Sequence, residues 1–148
     1  MSKIPYLIYF ISNLFYKIKV PFIPTLLMYI NRIVWGAYIP PSCKIGHSSK
    51  FGYGGSGVVI HDRAVIGKKC VIGPGVTIGG RSKQYKVPEI GDNVFIGSGA
   101  KILGNVTIGN DVVIGANAVV INDVPDNCIV VGIPAKIIKR NIRVEDYV

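Results

Sequence analysis

An aliphatic residue recurs at every sixth position, and this spacing constrains the fold more than any other feature of the chain. Ile60, Ile66, Ile72 and Ile78 keep the step, and Ile90, Ile96, Ile102, Ile108, Ile114 and Val120 resume it in phase. Glycine follows most of them: Gly67, Gly73, Gly79, Gly91, Gly97, Gly109 and Gly115. A period of six suits neither an amphipathic helix at 3.6 nor an isolated strand at 2. It suits a solenoid of short strands, in which no repeat can bury its apolar face alone. The aliphatic residue then points into a shared core, and the glycine leaves room where the backbone turns or is closely approached.

Two segments break the rhythm. Gly52–Gly57 (GYGGSG) delays it early, and Arg81–Pro88 (RSKQYKVP) puts Gln84 at the inward slot. Glutamine is a poor core residue, so this second segment reads as a loop leaving the wall. Because the phase is the same on either side, the loop is expected to replace one hexad without adding length. Loops on a rigid scaffold commonly make substrate contacts.

The solenoid is expected over residues 42–138, between an aromatic-rich segment at 1–41 and a basic tail at 139–148. Pro21 and Pro24 divide the first segment into two short helices. Its uncharged stretches, Ile4–Tyr16 and Val20–Asn31, are too short to span a bilayer. The helices are expected to cap the solenoid. The alternative is peripheral membrane contact through residues 1–34, with Lys3, Lys17, Lys19 and Arg32 at acidic head groups. The corresponding location is cytoplasmic, or the inner face of the cell membrane.

The net charge of +9 favours anionic partners. No aromatic–basic motif or recognition-helix pattern points to nucleic acid, so phosphate-bearing ligands lead. Cys43, Cys70 and Cys128 are too few and too dispersed for a zinc site or disulfide framework and read as buried free thiols. Two histidines cannot supply a three-histidine zinc site, and no metal is expected.

The blocks Gly75–Gly80 (GVTIGG), Ile96–Asn105 (IGSGAKILGN), Ile114–Val120 (IGANAVV) and Asp123–Lys136 (DVPDNCIVVGIPAK), in that order, resemble the hexapeptide-repeat acyltransferases, nearest the serine acetyltransferase branch. The resemblance implies an all-β solenoid, a left-handed parallel β-helix with three hexads per turn. It also implies a homotrimer and an acetyl-CoA co-substrate bound between adjacent prisms. Left-handed crossovers depart from the usual right-handed rule. At 18 residues per turn, Gly80, Ser98, Ala116 and Pro134 would stack along one corner, the first three facing the coenzyme beside Gly79. Lys136 and Arg140 would meet its phosphates at the far end.

The family's catalytic Asp-His pair aligns with Tyr53 and Gly54, and a second histidine, which helps hold serine, aligns with Val87. Both histidines are therefore absent. Together with the N-terminal segment and the GYGGSGVVIH block, this gives the expectation of sugar O-acetylation in surface-polysaccharide assembly, the acceptor being a small or lipid-linked sugar. The alternatives are serine O-acetylation and a non-catalytic scaffold.

Acetyl transfer to a hydroxyl needs a base and donors for the oxyanion. Neutral imidazole serves as a base near pH 7. His61 occupies a slot where the hexad normally has glycine, a broken local rule of the kind that marks function. It is the expected base, placed on one strip with Gly79, Gly97 and Gly115; His47 is the alternative. Asp62 is expected to point elsewhere. Tyr53, Lys83 and Tyr85, in the two irregular segments, are expected to line the acceptor pocket.

Overall fold

The computed structural model describes residues 3–147. Residues 1 and 2 of the N-terminal segment and residue 148 of the tail lie outside the described residues. Two helices, α1 (Ile4–Lys17) and α2 (Ile23–Trp35), precede a left-handed β-solenoid with three walls. The first wall stacks Lys44–Ile45, Val65–Ile66, Glu89–Ile90 and Thr107–Ile108 in parallel. The second stacks Lys50–Phe51, Val71–Ile72, Phe95–Ile96, Val113–Ile114 and Cys128–Gly132. The third stacks Val59–Ile60, Thr77–Gly79, Lys101–Leu103 and Val119–Val120.

Ile60, Ile72, Ile78, Ile96, Ile102 and Ile114 are fully buried at 0% exposure, as the hexad requires. A second inward tier lies two residues before the aliphatic positions of the hexad series. Val58, Ala64, Cys70, Val76, Val94, Ala100, Val112 and Ala118 are small and buried, because they enter the narrowing corners. The glycines after the isoleucines serve close approach between coils. A Cβ on Gly73 would lie 2.7 Å from the backbone nitrogen of Ser98, and one on Gly97 would lie 2.6 Å from that of Ala116. The left-handed turn comes two residues later, at Lys69, Asn93, Asp111 and Asn117, all with φ of 55–56°.

The loop at 81–88 corrects the expectation of constant length. Val59 pairs with Thr77, 18 residues on, but Val65 pairs with Glu89, 24 residues on. The loop is therefore an extra excursion from the corner between the third and first walls. Its six additional residues equal one hexad, which is why the phase survives. Within it, the Asn105 N–H donates to Gln84 Oε1 at 2.9 Å, holding the excursion against the next coil.

The segment at 139–148 also differs from a free tail. Ala135–Arg140 forms an antiparallel strand on Cys128–Gly132, and Ile142 and Val144 bury against Val113 and Ile129. At the other end, α1 caps the first coil. Tyr9 Oη donates to the Cys43 carbonyl at 2.7 Å and accepts from the Ile45 N–H at 3.1 Å, while Tyr6 Oη donates to the Gly46 carbonyl. No helix of the described residues is long and apolar enough to cross a membrane. The three cysteines are buried and free.

Candidate active site

His61 follows the strand Val59–Ile60 and opens the corner from which the 81–88 loop later emerges. Its backbone N–H donates to the Ile78 carbonyl at 2.8 Å, which fixes the residue one coil below Gly79. The side chain is 30% exposed. Gly80 lies against the free edge of the ring, where a Cβ would stand 3.7 Å from His61 Cδ2 and 3.8 Å from Nε2. The same Cβ would be 3.8 Å from Val87 Cγ1, so the buried Val87 forms an apolar side to this space. Glycine at position 80 leaves the Nε2 edge open to a hydroxyl.

Asp62 turns toward His61, contrary to the expectation that it points elsewhere. Its Oδ1 lies 2.6 Å from His61 Nδ1. The Arg63 N–H also donates to Nδ1, at 3.2 Å. The two contacts favour opposite tautomers. The shorter one, to a carboxylate, is the stronger and places the proton on Nδ1, leaving a lone pair on Nε2. Nothing in the spacing announces this contact, since the direction of a corner side chain depends on its own backbone turn. The Arg63 guanidinium lies 4.0 Å from the centroid of the Tyr85 ring, tying the loop to this corner. Lys83 and Tyr85 are exposed on the same loop.

Ser98 and Ala116 stand at a different corner, between the second and third walls. Because of the six added residues, Gly79 pairs with Leu103 and the Gly104 N–H donates to the Gly79 carbonyl, whereas the Gly99 N–H donates to the Pro74 carbonyl. Gly79, Gly80 and His61 thus share one corner, and Ser98 and Ala116 another with Gly73, Gly97 and Gly115. The single strip expected from 18-residue stacking is split in two. Pro134 lies in the turn of the C-terminal hairpin, near Ala116's corner, and Lys136 is exposed beside it, paired with Val131. Arg140 pairs with Cys128 at the other end of that strand, with its Nη1 3.9 Å from Cys128 Sγ.

The Ser98 corner carries an open groove of about 610 Å³, lined among others by Trp35, Tyr53, Gly73, Pro74, Phe95 and Ser98. Its small corner residues leave the backbone accessible to an extended ligand, and its walls are mostly apolar. Trp35, the single tryptophan, and Phe95 were not expected here. Tyr53 is 86% exposed at this groove, far from Lys83 and Tyr85, so one chain does not bring the three expected acceptor residues together. Position 54, with which the family's histidine aligns, has no room for a side chain. Its φ is +71°, and a Cβ there would collide with the Trp35 ring, so the indole fills the space a side chain would need.

Comparison with known proteins agrees with this architecture. Residues 88–122 match the bacterial transferase hexapeptide (six repeats), and residues 57–83 match the hexapeptide repeat of succinyl-transferase. A serine acetyltransferase of Synechococcus elongatus is 42% identical over 138 residues, covering 91% of this chain and 56% of that protein. The Brucella abortus serine acetyltransferase in complex with coenzyme A superposes with a TM-score of 0.87 at 31% identity, over 93% of this chain and 55% of that one. The soybean serine acetyltransferase complexed with serine gives 0.84 at 34% identity, over 90% and 56%. The chain therefore spans a little over half the length of the relatives it matches. These relatives overturn the expectation of a sugar acceptor in polysaccharide assembly. That expectation rested on the two absent histidines, the aromatic N-terminal segment and the GYGGSGVVIH block. The room at position 54 is taken by Trp35 and an imidazole stands at position 61 instead, so the first absence does not report on the acceptor, whereas the position of the second histidine is held by the apolar Val87.

Proposed function

We propose, from the premise that this chain belongs to the hexapeptide-repeat acyltransferases and is similar to the serine acetyltransferases, that it transfers an acetyl group from acetyl-CoA to the hydroxyl of serine. The observation that carries this reading is the His61 ring, whose Nδ1 lies against Asp62 while its Nε2 edge faces the space left by Gly80. His61 Nε2 takes the proton as the serine oxygen attacks the thioester carbonyl. The new C–O bond forms, the C–S bond breaks, and the coenzyme sulfur leaves and recovers a proton from the imidazolium. Asp62 holds the tautomer and offsets the charge on the ring. Backbone N–H groups near Gly79–Gly80 serve the oxyanion, since glycine permits close approach.

The donor fits the groove at Ser98 and Ala116, with Lys136 beside its phosphates. Arg140 is a weaker candidate, a strand's length away. Groove and His61 occupy different corners of one prism, separated by a wall of roughly 15–20 Å at about 3.3 Å per residue. A closed homotrimer resolves this, because each chain's His61 corner then faces a neighbour's groove. Tyr53 of one chain would there approach Lys83 and Tyr85 of the next.

Thiol release from acetyl-CoA is the test, with L-serine and a panel of sugars as acceptors. The reading expects release with serine and none above background with sugars. Release with a sugar but not with serine would overturn it.

A further inference from the structure

The two N-terminal helices are amphipathic in the wrong sense for a soluble cap. Polar Ser12 and Asn31 face inward, at 1% and 0% exposure, where Ser12 Oγ donates to the Pro24 carbonyl and Asn31 Nδ2 to the Pro5 carbonyl. The outward line of α1 is apolar, through Leu7, Ile11 and Leu14, and that of α2 runs through Leu26, Ile30 and Ile33. Their spacing of three and four residues makes each line a continuous stripe. Capping accounts for Tyr9, and packing between the two helices accounts for Ser12 and Asn31, but both leave these stripes uncovered. Phe22, in the turn between the helices, is 86% exposed, and Ile33 is 82% exposed.

Charge identifies what covers them. The first acidic residue of the whole sequence is Asp62, whereas Lys3, Lys17, Lys19, Arg32, Lys44 and Lys50 all precede it. Lys17 and Lys19 flank a hollow with Tyr16 and Val20, and Lys3, Lys50 and Lys69 surround another beside Leu7, Ser48 and Ser49. A second copy of the same hairpin would bring basic residues against basic residues with no carboxylate to offset them. An anionic bilayer surface is complementary in both respects, offering hydrocarbon for the stripes and phosphates for the lysines.

We propose that the α1–α2 hairpin lies in the interface of an anionic membrane, holding the β-solenoid at its surface. The helices cap the first coil with one side and enter the headgroup region with the other. No spanning segment is required, and no helix of the described residues is long and apolar enough to be one.

Co-sedimentation of the full chain with vesicles tests this, using phosphatidylcholine alone and phosphatidylcholine with about 30% phosphatidylglycerol, where each lysine near the surface contributes about fivefold in affinity. Binding to the anionic vesicles is expected, weakened by raised salt. Lys17→Gln and Lys19→Gln should each weaken it about fivefold, and Leu14→Gln and Ile33→Gln roughly tenfold or more. These side chains are exposed, so circular dichroism should report unchanged folding. Equal binding to neutral vesicles, or none to either, would overturn the proposal. So would a concentration-dependent assembly in sedimentation velocity that Leu14→Gln dissolves, which would assign the stripes to a second copy.

Discussion

Asp62→Asn isolates what the carboxylate contributes to His61. The substitution keeps the size and the polar contact near Nδ1 but removes the charge that fixes the tautomer. A hydrogen bond to a charged group is worth about 1.5–3 kcal/mol when well shielded. Here the aspartate side chain is 60% exposed and the histidine 30% exposed, so solvent reduces the effect. Roughly 1 kcal/mol remains, or about a fivefold loss in kcat. Because Asp62 acts through His61 and touches no donor atom, KM for acetyl-CoA should stay within twofold, about the scatter of such measurements. Steady-state thiol release at saturating serine reads both constants, and Asp62→Glu should recover part of the loss. Wild-type kcat in Asp62→Asn would refute the positioning role. A rise in the coenzyme KM with unchanged kcat would refute it too, by moving Asp62 to the donor site.

The hexad made the walls legible, because a period of six has few physical solutions and every isoleucine of the series is inward. Pro21 and Pro24 likewise announced two helices, and these end and begin at Lys17 and Ile23. The 81–88 loop was legible as a loop but not in its length. An insertion of six residues leaves the same phase as a replaced hexad, so pattern alone could not separate Gly80 from Ser98. Asp62 was misjudged because corner geometry, rather than periodicity, aims its side chain. The Trp35–Gly54 contact joins residues on different elements, and no local signal predicts it. His61 stood out for the opposite reason, as a ring in a glycine slot.

Three further outcomes follow from particular contacts. Gly80→Val should fold, since the nearest atoms stand at 3.7–3.8 Å from a Cβ, yet its branches would cover His61 Nε2 and abolish transfer while the melting temperature stays near wild type. A fully active Gly80→Val would show that this edge is not the reacting one. Gly54→Ala should cost roughly 1–3 kcal/mol in a urea titration, because it strains a left-handed backbone position and meets the Trp35 ring. Unchanged stability there would contradict the lack of room at position 54. Burial pushes the Cys43 thiol up to about 12 and the Cys70 thiol up to about 11, from 9.0. Both folded values are raised, so their stabilising effect is complete below pH 9 and is lost progressively above it. Between pH 9 and 10 unfolding free energy should fall with pH, by up to about 1.4 kcal/mol per unit for each thiol. Cys70→Ala should reduce that slope, and a flat profile would contradict the assignment.

The central claim is that His61 accepts the serine proton. Its most direct test is the yield of O-acetylserine from acetyl-CoA and L-serine, measured by mass spectrometry for the wild type and His61→Asn at matched coenzyme saturation. The asparagine keeps polarity and much of the shape but cannot accept the proton. Wild-type protein should form the ester, and His61→Asn should form it roughly 10²–10⁴-fold more slowly with coenzyme affinity retained. Near-normal turnover in His61→Asn would place the base elsewhere and contradict the account.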